Sequence, residues 1–155
     1  MSTLKQRKLV AVLVMAALLG IVSIAVSATG GDTAIKDRQH AMDEIGDSMK
    51  ALAAIVKKET PFDAAVVEKN AGAIAERLEK VKSLFPEGDD GGEIETWAKS
   101  EVWSDAEGFA KALDEAHGAA VALKGVADEA ALGPALGKLG NGCKTCHEKY
   151  RRPRQ

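Results

Sequence analysis

A chain of 155 residues with 28% charged and 46% hydrophobic side chains is long enough for one domain with its own core and too apolar to be disordered. Aromatics make up only 4%, so Ala, Leu, Val, Ile and Met must fill that core, which suits helices better than a β-sandwich. The formal net charge of −2 excludes a strongly basic nucleic-acid binder.

The N-terminus reads as an export segment. Lys5, Arg7 and Lys8 precede an apolar run from Leu9 to Val26, and the small residues Val26-Ser27-Ala28 suit a signal peptidase. The run is longer than the roughly 7–15 residues of an ordinary signal core and reaches the length of a membrane candidate. Residues 1–28 are therefore a cleaved signal or a retained inner-membrane anchor, and residues 29–155 a single domain outside the cytoplasm. Without residues 1–28, 18 basic side chains face 23 acidic ones. The acidic balance disfavours nucleic acid and anionic membranes and suits a partner with a basic docking patch.

Four amphipathic helical segments follow. The first, from about Asp32 to Lys58, places Ile35, Met42, Ile45, Met49, Leu52 and Val56 on one stripe. The second starts at Thr60-Pro61-Phe62-Asp63, with Thr60 as cap and Pro61 in the first turn, and carries Val67, Ile74, Leu78 and Val81. A link from Phe85 to Trp103 has glycines, acids and no stripe; Ile94, Trp97, Val102 and Trp103 pin it to the core. The third segment opens on Ser104-Asp105-Ala106-Glu107, a capping box, and continues through Phe109, Leu113, Ala116, Ala120 and Leu123. The fourth carries Leu132, Leu136, Leu139, Cys143, Cys146 and Tyr150. Its regular part is expected to start at Pro134, because proline disrupts a helix interior. Gly137, Gly140 and Gly142 weaken this helix but allow another helix or a flat ligand to approach closely. The fold expected is all-α, an antiparallel up-down-up-down four-helix bundle.

Both cysteines lie in Cys143-Lys144-Thr145-Cys146-His147. This is the C-x-x-C-H attachment motif of c-type haem. On a helix, positions i, i+3 and i+4 share one face. Two thiols there can add to the two vinyl groups of the porphyrin, and His147 can bind iron from one side. A disulfide between Cys143 and Cys146 would be strained on a helix. A thioredoxin-like pair belongs at a helix N-terminus after a strand, and none is patterned here. Zinc needs about four ligands, and His40 and His117 are not at ligand spacing to the motif. One covalent haem c is the cofactor expected.

The stretch from Cys143 to Arg151, C-x-x-C-H-x-x-Y-R, resembles the end of the last helix of cytochrome c′ and its class II relatives. Arg38-Gln39 followed by Met42 resembles the haem-facing part of that family's first helix, and Val102-Trp103-Ser104-Asp105 resembles the approach to its third. The resemblance covers roughly residues 32–152. It implies that Arg38 meets a haem propionate, that Gln39 lines the pocket beside it, and that Arg151 sits next to the proximal His147. It also implies a homodimer through the first two helices, where Ala51, Ala54 and Ala73 are small outward residues. In the family the position of Met42 is either a methionine bound to iron or an apolar residue over a five-coordinate iron.

The heights of the two helices favour ligation. His147 lies roughly 11 Å from the end of the last segment and Met42 roughly 15 Å into the first, at 1.5 Å per residue. Met49 is about 10 Å deeper, and His40 points about 200° away from Met42. The alternative for Met42 is core filler. The expected function is one-electron transport by an exported, periplasmic monohaem cytochrome with no enzymatic activity. The rivals are a five-coordinate haem that takes up nitric oxide or carbon monoxide, and a thiol–disulfide oxidoreductase.

Overall fold

The computed structural model describes residues 27–87 and 94–153. The export run from Leu9 to Val26 and residues 88–93 of the link lie outside them. Helix α1 spans Ser27–Val56, α2 spans Ala64–Val81, a short α3 spans Glu101–Ser104, α4 spans Ala106–Lys124 and α5 spans Glu129–Tyr150. The long helices α1, α2, α4 and α5 form the up-down-up-down bundle. Among the described residues there is no strand, only an isolated antiparallel bridge between Ala98 and Arg151.

The stripes read from the sequence are the ones that build the core. Ile35, Ile45 and Leu52 of α1, all four named apolar residues of α2 and all five of α4 are buried. Val56 is the exception. It is the last residue of α1 and stays 42% exposed, while Ile55 takes the core position. The chain leaves the helix there and turns through Lys58, whose φ of 62° lies in the left-handed region.

Helix α1 starts at Ser27, ahead of the expected Asp32, and the starts of the three later long helices also differ from the expectation, each of these for a physical reason. Helix α2 is capped by Asp63, whose carboxylate accepts from the Ala65 and Val66 amides, rather than by Thr60. Phe62, just before the cap, packs against the core that holds Val67, the arrangement of a hydrophobic staple. Helix α4 is capped by Asp105 instead of Ser104. Ser104 instead ends α3, a turn held down by buried Val102 and half-buried Trp103. Helix α5 begins at Glu129, capped by Asp128, so Pro134 lies inside it. Leu132 is fully buried ahead of the proline. Burying such a side chain contributes about 1.5–3 kcal/mol, enough to offset most of the roughly 3 kcal/mol that an interior proline costs.

The bundle is not packed evenly. α1 packs along α2, α2 along α4 and α4 along α5, but α1 and α5 touch sparingly. Gly142 lets α5 press on α4, since a Cβ there would lie 3.3 Å from Ala116 Cα. Gly137 and Gly140 have nothing within 4 Å of that position. Of the three glycines, only Gly142 permits a helix contact.

Candidate functional site

Cys143, Cys146 and His147 fall in the last two turns of α5, on one face. Cys146 is buried, Cys143 is half-buried against the core and His147 keeps an accessible ring. No disulfide joins the two cysteines. Burial pushes the Cys146 thiol up to about 11, with the neighbouring Cys143 adding to the effect. Burial raises Cys143 as well. His147 moves the other way. The protein packed around its accessible ring disfavours the charged form, and the Arg151 cation adds to this, so its pKa is lowered. At neutral pH the ring is thus a neutral imidazole with a lone pair to give.

On α1, Met42 and Met49 are both half-buried against the same core. His40 is exposed and lies 3.7 Å from Glu44, on the solvated face as expected. His117 is at the rim of an open groove between α2 and α4, lined also by Glu76, Glu79 and Lys124. That groove is lined by residues of α2 and α4 alone. Among the described residues, no cluster of His, Cys, Asp and Glu is arranged to hold a metal ion on its own.

The three residues expected in the pocket by resemblance are placed around the link. Arg38 is buried; its Nη1 donates to the Leu84 carbonyl at 3.0 Å and its Nη2 to Thr96 Oγ1 at 2.6 Å. The guanidinium also lies 4.7 Å from the centre of the Phe85 ring. Gln39 is exposed and its Nε2 donates to the Glu95 carbonyl. Arg151 stacks over Trp97 at 5.5 Å. Trp103 anchors the link, as expected, through its indole N–H to the Pro86 carbonyl.

Sequence reasoning missed two residues here. Asp105 does more than cap α4, where it accepts from the Gly108 amide. It also accepts from the Tyr150 hydroxyl at 2.7 Å and from Lys149 at 2.5 Å, and so holds the end of α5. Those contacts keep its carboxyl below the usual range, Lys149 first. The capping motif put the first role on the neighbouring Ser104, and nothing local predicts the second. Thr96, the other, is a lone polar residue in an aperiodic link.

A family model described as Cytochrome C′ matches residues 33–151. The chain belongs to the cytochrome c′ family. Cytochrome c′ of Pararhodospirillum photometricum is 42% identical over 120 residues, covering 76% of this chain and 94% of that protein. Cytochrome c-556 of Agrobacterium fabrum is 36% identical over 119 residues, 76% of this chain and 80% of that protein. The solved structure of cytochrome c′ from Rhodopseudomonas palustris superposes with a TM-score of 0.74 at 33% identity, over 79% of this chain and 98% of that one.

As a member of this family the chain is a c-type cytochrome with a covalently attached haem. Its residues fit that group. Two protonated thiols and a neutral imidazole share one face of α5. The neighbouring helix carries a thioether in Met42, and the seam between the two helices is the one the protein packs least. These are the donors and the space that a c-type haem requires.

Proposed function

We propose that Cys143 and Cys146 hold the haem through thioethers, that His147 binds iron from one side and Met42 from the other, and that the exported protein carries single electrons rather than catalysing a reaction. The haem supplies the Fe(III)/Fe(II) chemistry. The single observation that carries the assignment is the end of α5, where both thiols and the imidazole share one face of the last two turns of a helix that touches α1 only sparsely. Met42 adds a soft, uncharged donor, suited to raising a haem potential alongside histidine.

The raised thiol pKa values speak against thiol–disulfide exchange, which needs a depressed, nucleophilic thiol. Arg38, Gln39 and Arg151 border the same end of the seam. The hydrogen bonds of Arg38 and Gln39 to the link support a role in fixing the pocket's wall, and a propionate contact for Arg38 remains part of this proposal. The acidic chain suits a redox partner with a basic docking patch. Export to the periplasm follows from the N-terminal segment. Among the described residues no helix is long and apolar enough to cross a membrane, so any anchor to the inner membrane lies in residues 9–26.

Acid–acetone extraction of the exported protein tests the attachment. The colour should stay with the polypeptide, and it should become extractable when both Cys143 and Cys146 are replaced by Ala. A colourless wild-type protein with two titratable thiols refutes the assignment.

A further inference from the structure

Only two polar side chains are counted in the buried core of the described residues, Arg38 and Thr96, each 5% exposed. They are hydrogen-bonded to each other. Burial of an arginine and a threonine is stabilising only if their polar atoms are satisfied, so this pair is a specific joint and not a chance contact.

What the joint connects is informative. Arg38 lies one helical turn before Met42 on α1. Thr96 belongs to the segment 94–99, which runs from α1 to the end of α5. On the α1 side, the Ile94 amide donates to Asp32 and Gln39 donates to the Glu95 carbonyl. On the α5 side, the Arg152 amide donates to the Trp97 carbonyl at 2.8 Å and the Lys99 amide to the Tyr150 carbonyl at 3.0 Å. Lys99 Nζ reaches the Glu148 carbonyl, and Arg152 Nη2 donates to the carbonyl of Thr96 itself. The two helices touch each other sparingly. At this end of the bundle they are joined through the strap 94–99, and Thr96 is the residue bonded to both sides.

We propose that Thr96 is a positioning residue that latches the strap across the haem seam and thereby sets how readily a small molecule reaches the iron. The proposal rests on the reading above, in which the haem lies between the helices of Met42 and His147. With the latch closed, α1 and α5 are held at a fixed spacing. With it open, the strap is held to α1 by its Asp32 and Gln39 bonds, and this edge of the bundle is left to the sparse direct contact of the two helices. Access then follows the open fraction, and weakening the latch raises that fraction by the same factor.

The test compares holoprotein carrying Thr96→Val, which keeps the shape and removes the acceptor, with Thr96→Ser, which restores it. Two quantities are read: exchange of the Lys99 and Arg152 amide hydrogens, which reports the strap, and the rate of carbon monoxide binding to the ferrous protein in a Met42→Ala background, where no methionine has to leave the iron first, which reports access. Thr96→Val should accelerate both by roughly tenfold, equivalent to about 1.4 kcal/mol, near the lower bound for a hydrogen bond to a charged group. Thr96→Ser should behave like the wild type. Faster exchange with an unchanged carbon monoxide rate would make the strap a structural brace only and overturn the proposal; no change in either quantity would also overturn it. Should Thr96→Val fail to fold, Arg152→Ala weakens the same latch from the exposed side and should accelerate both rates by roughly threefold, in keeping with one ordinary hydrogen bond; the same two negative outcomes refute it. A spectrum unmoved by Met42→Ala would remove the sixth ligand from the functional reading, whereas the comparison of Val with Ser at position 96 still judges the latch.

Discussion

Met42 and Met49 share one stripe of α1 and are half-buried against the same core, yet they should behave differently when shortened. If Met42 binds iron, the oxidised protein is low-spin, and Met42→Ala converts it to high-spin and speeds carbon monoxide binding to the reduced form. Met49→Ala should leave the spectrum alone and cost about 2 kcal/mol of stability, the lower end for a buried methionine because part of the side chain is already exposed. Absorption spectra and denaturant melts of the two variants make the comparison. A high-spin wild type unaffected by Met42→Ala would shift the function from electron transport towards gas binding. At this scale the sequence was very readable where chemistry is local. Cys143, Cys146 and His147 announce themselves as a pentapeptide. Thr96 and the second role of Asp105 do not, because their partners Arg38, Tyr150 and Arg152 are tens of residues away.

Among the elements, the end of α1 carries a local conflict. Lys58 adopts a left-handed conformation that ordinarily costs a side-chain-bearing residue about 1–2 kcal/mol. Its amide donates to the Ile55 carbonyl and the Glu59 amide to that of Ala54, as in a helix-ending turn where glycine is usual. Lys58→Gly should therefore stabilise the protein by about 0.5–1 kcal/mol, after allowing for the greater freedom of glycine in the unfolded chain. Thermal melts of the two proteins check it, and a lower melting temperature for the variant contradicts it. The four long helices were legible because stripes such as those of α2 and α4 have one period and one buried face, whereas the short α3 lay in a stretch read as an aperiodic link. The starts were less so. Thr60 and Asp63, or Ser104 and Asp105, are equally good caps in isolation, and the choice between them was made by where Phe62 and Val102 are buried. Pro134 misled for a related reason: burial of Leu132 extends the helix past a residue that local rules place at its start.

For the molecule as a whole, electrostatics and assembly give two further tests. Arg77 of α2 grips Glu44 of α1 with two hydrogen bonds, of 2.6 and 3.1 Å, and holds its carboxyl below the usual range. A depressed carboxylate pKa stabilises the fold above the unfolded value, and that contribution is lost as pH falls through the folded one. Arg77→Ala should thus be less stable than wild type at pH 7, and the gap should narrow as the solution is acidified through the carboxylate range. A gap independent of pH would assign the loss to packing by the arginine stem. Assembly is the second test. Ala51 is exposed and Ala54 and Ala73 are partly so, on the first two helices of the bundle. We expect these small residues to form the contact of a homodimer. Sedimentation at micromolar concentration should give about twice the mass of one chain, and a single species of monomer mass refutes the dimer.

The burial of the Cys146 side chain bears on the order of events in the making of the protein. Once the bundle has closed, that thiol is inside the core and protonated, with α4 pressed against the same helix through Gly142. Whatever delivers the porphyrin needs both sulfurs within reach. We expect attachment to the newly exported, still open chain, before the bundle closes. Haem offered to the already folded, haem-free chain should then join more slowly than haem offered to the unfolded one.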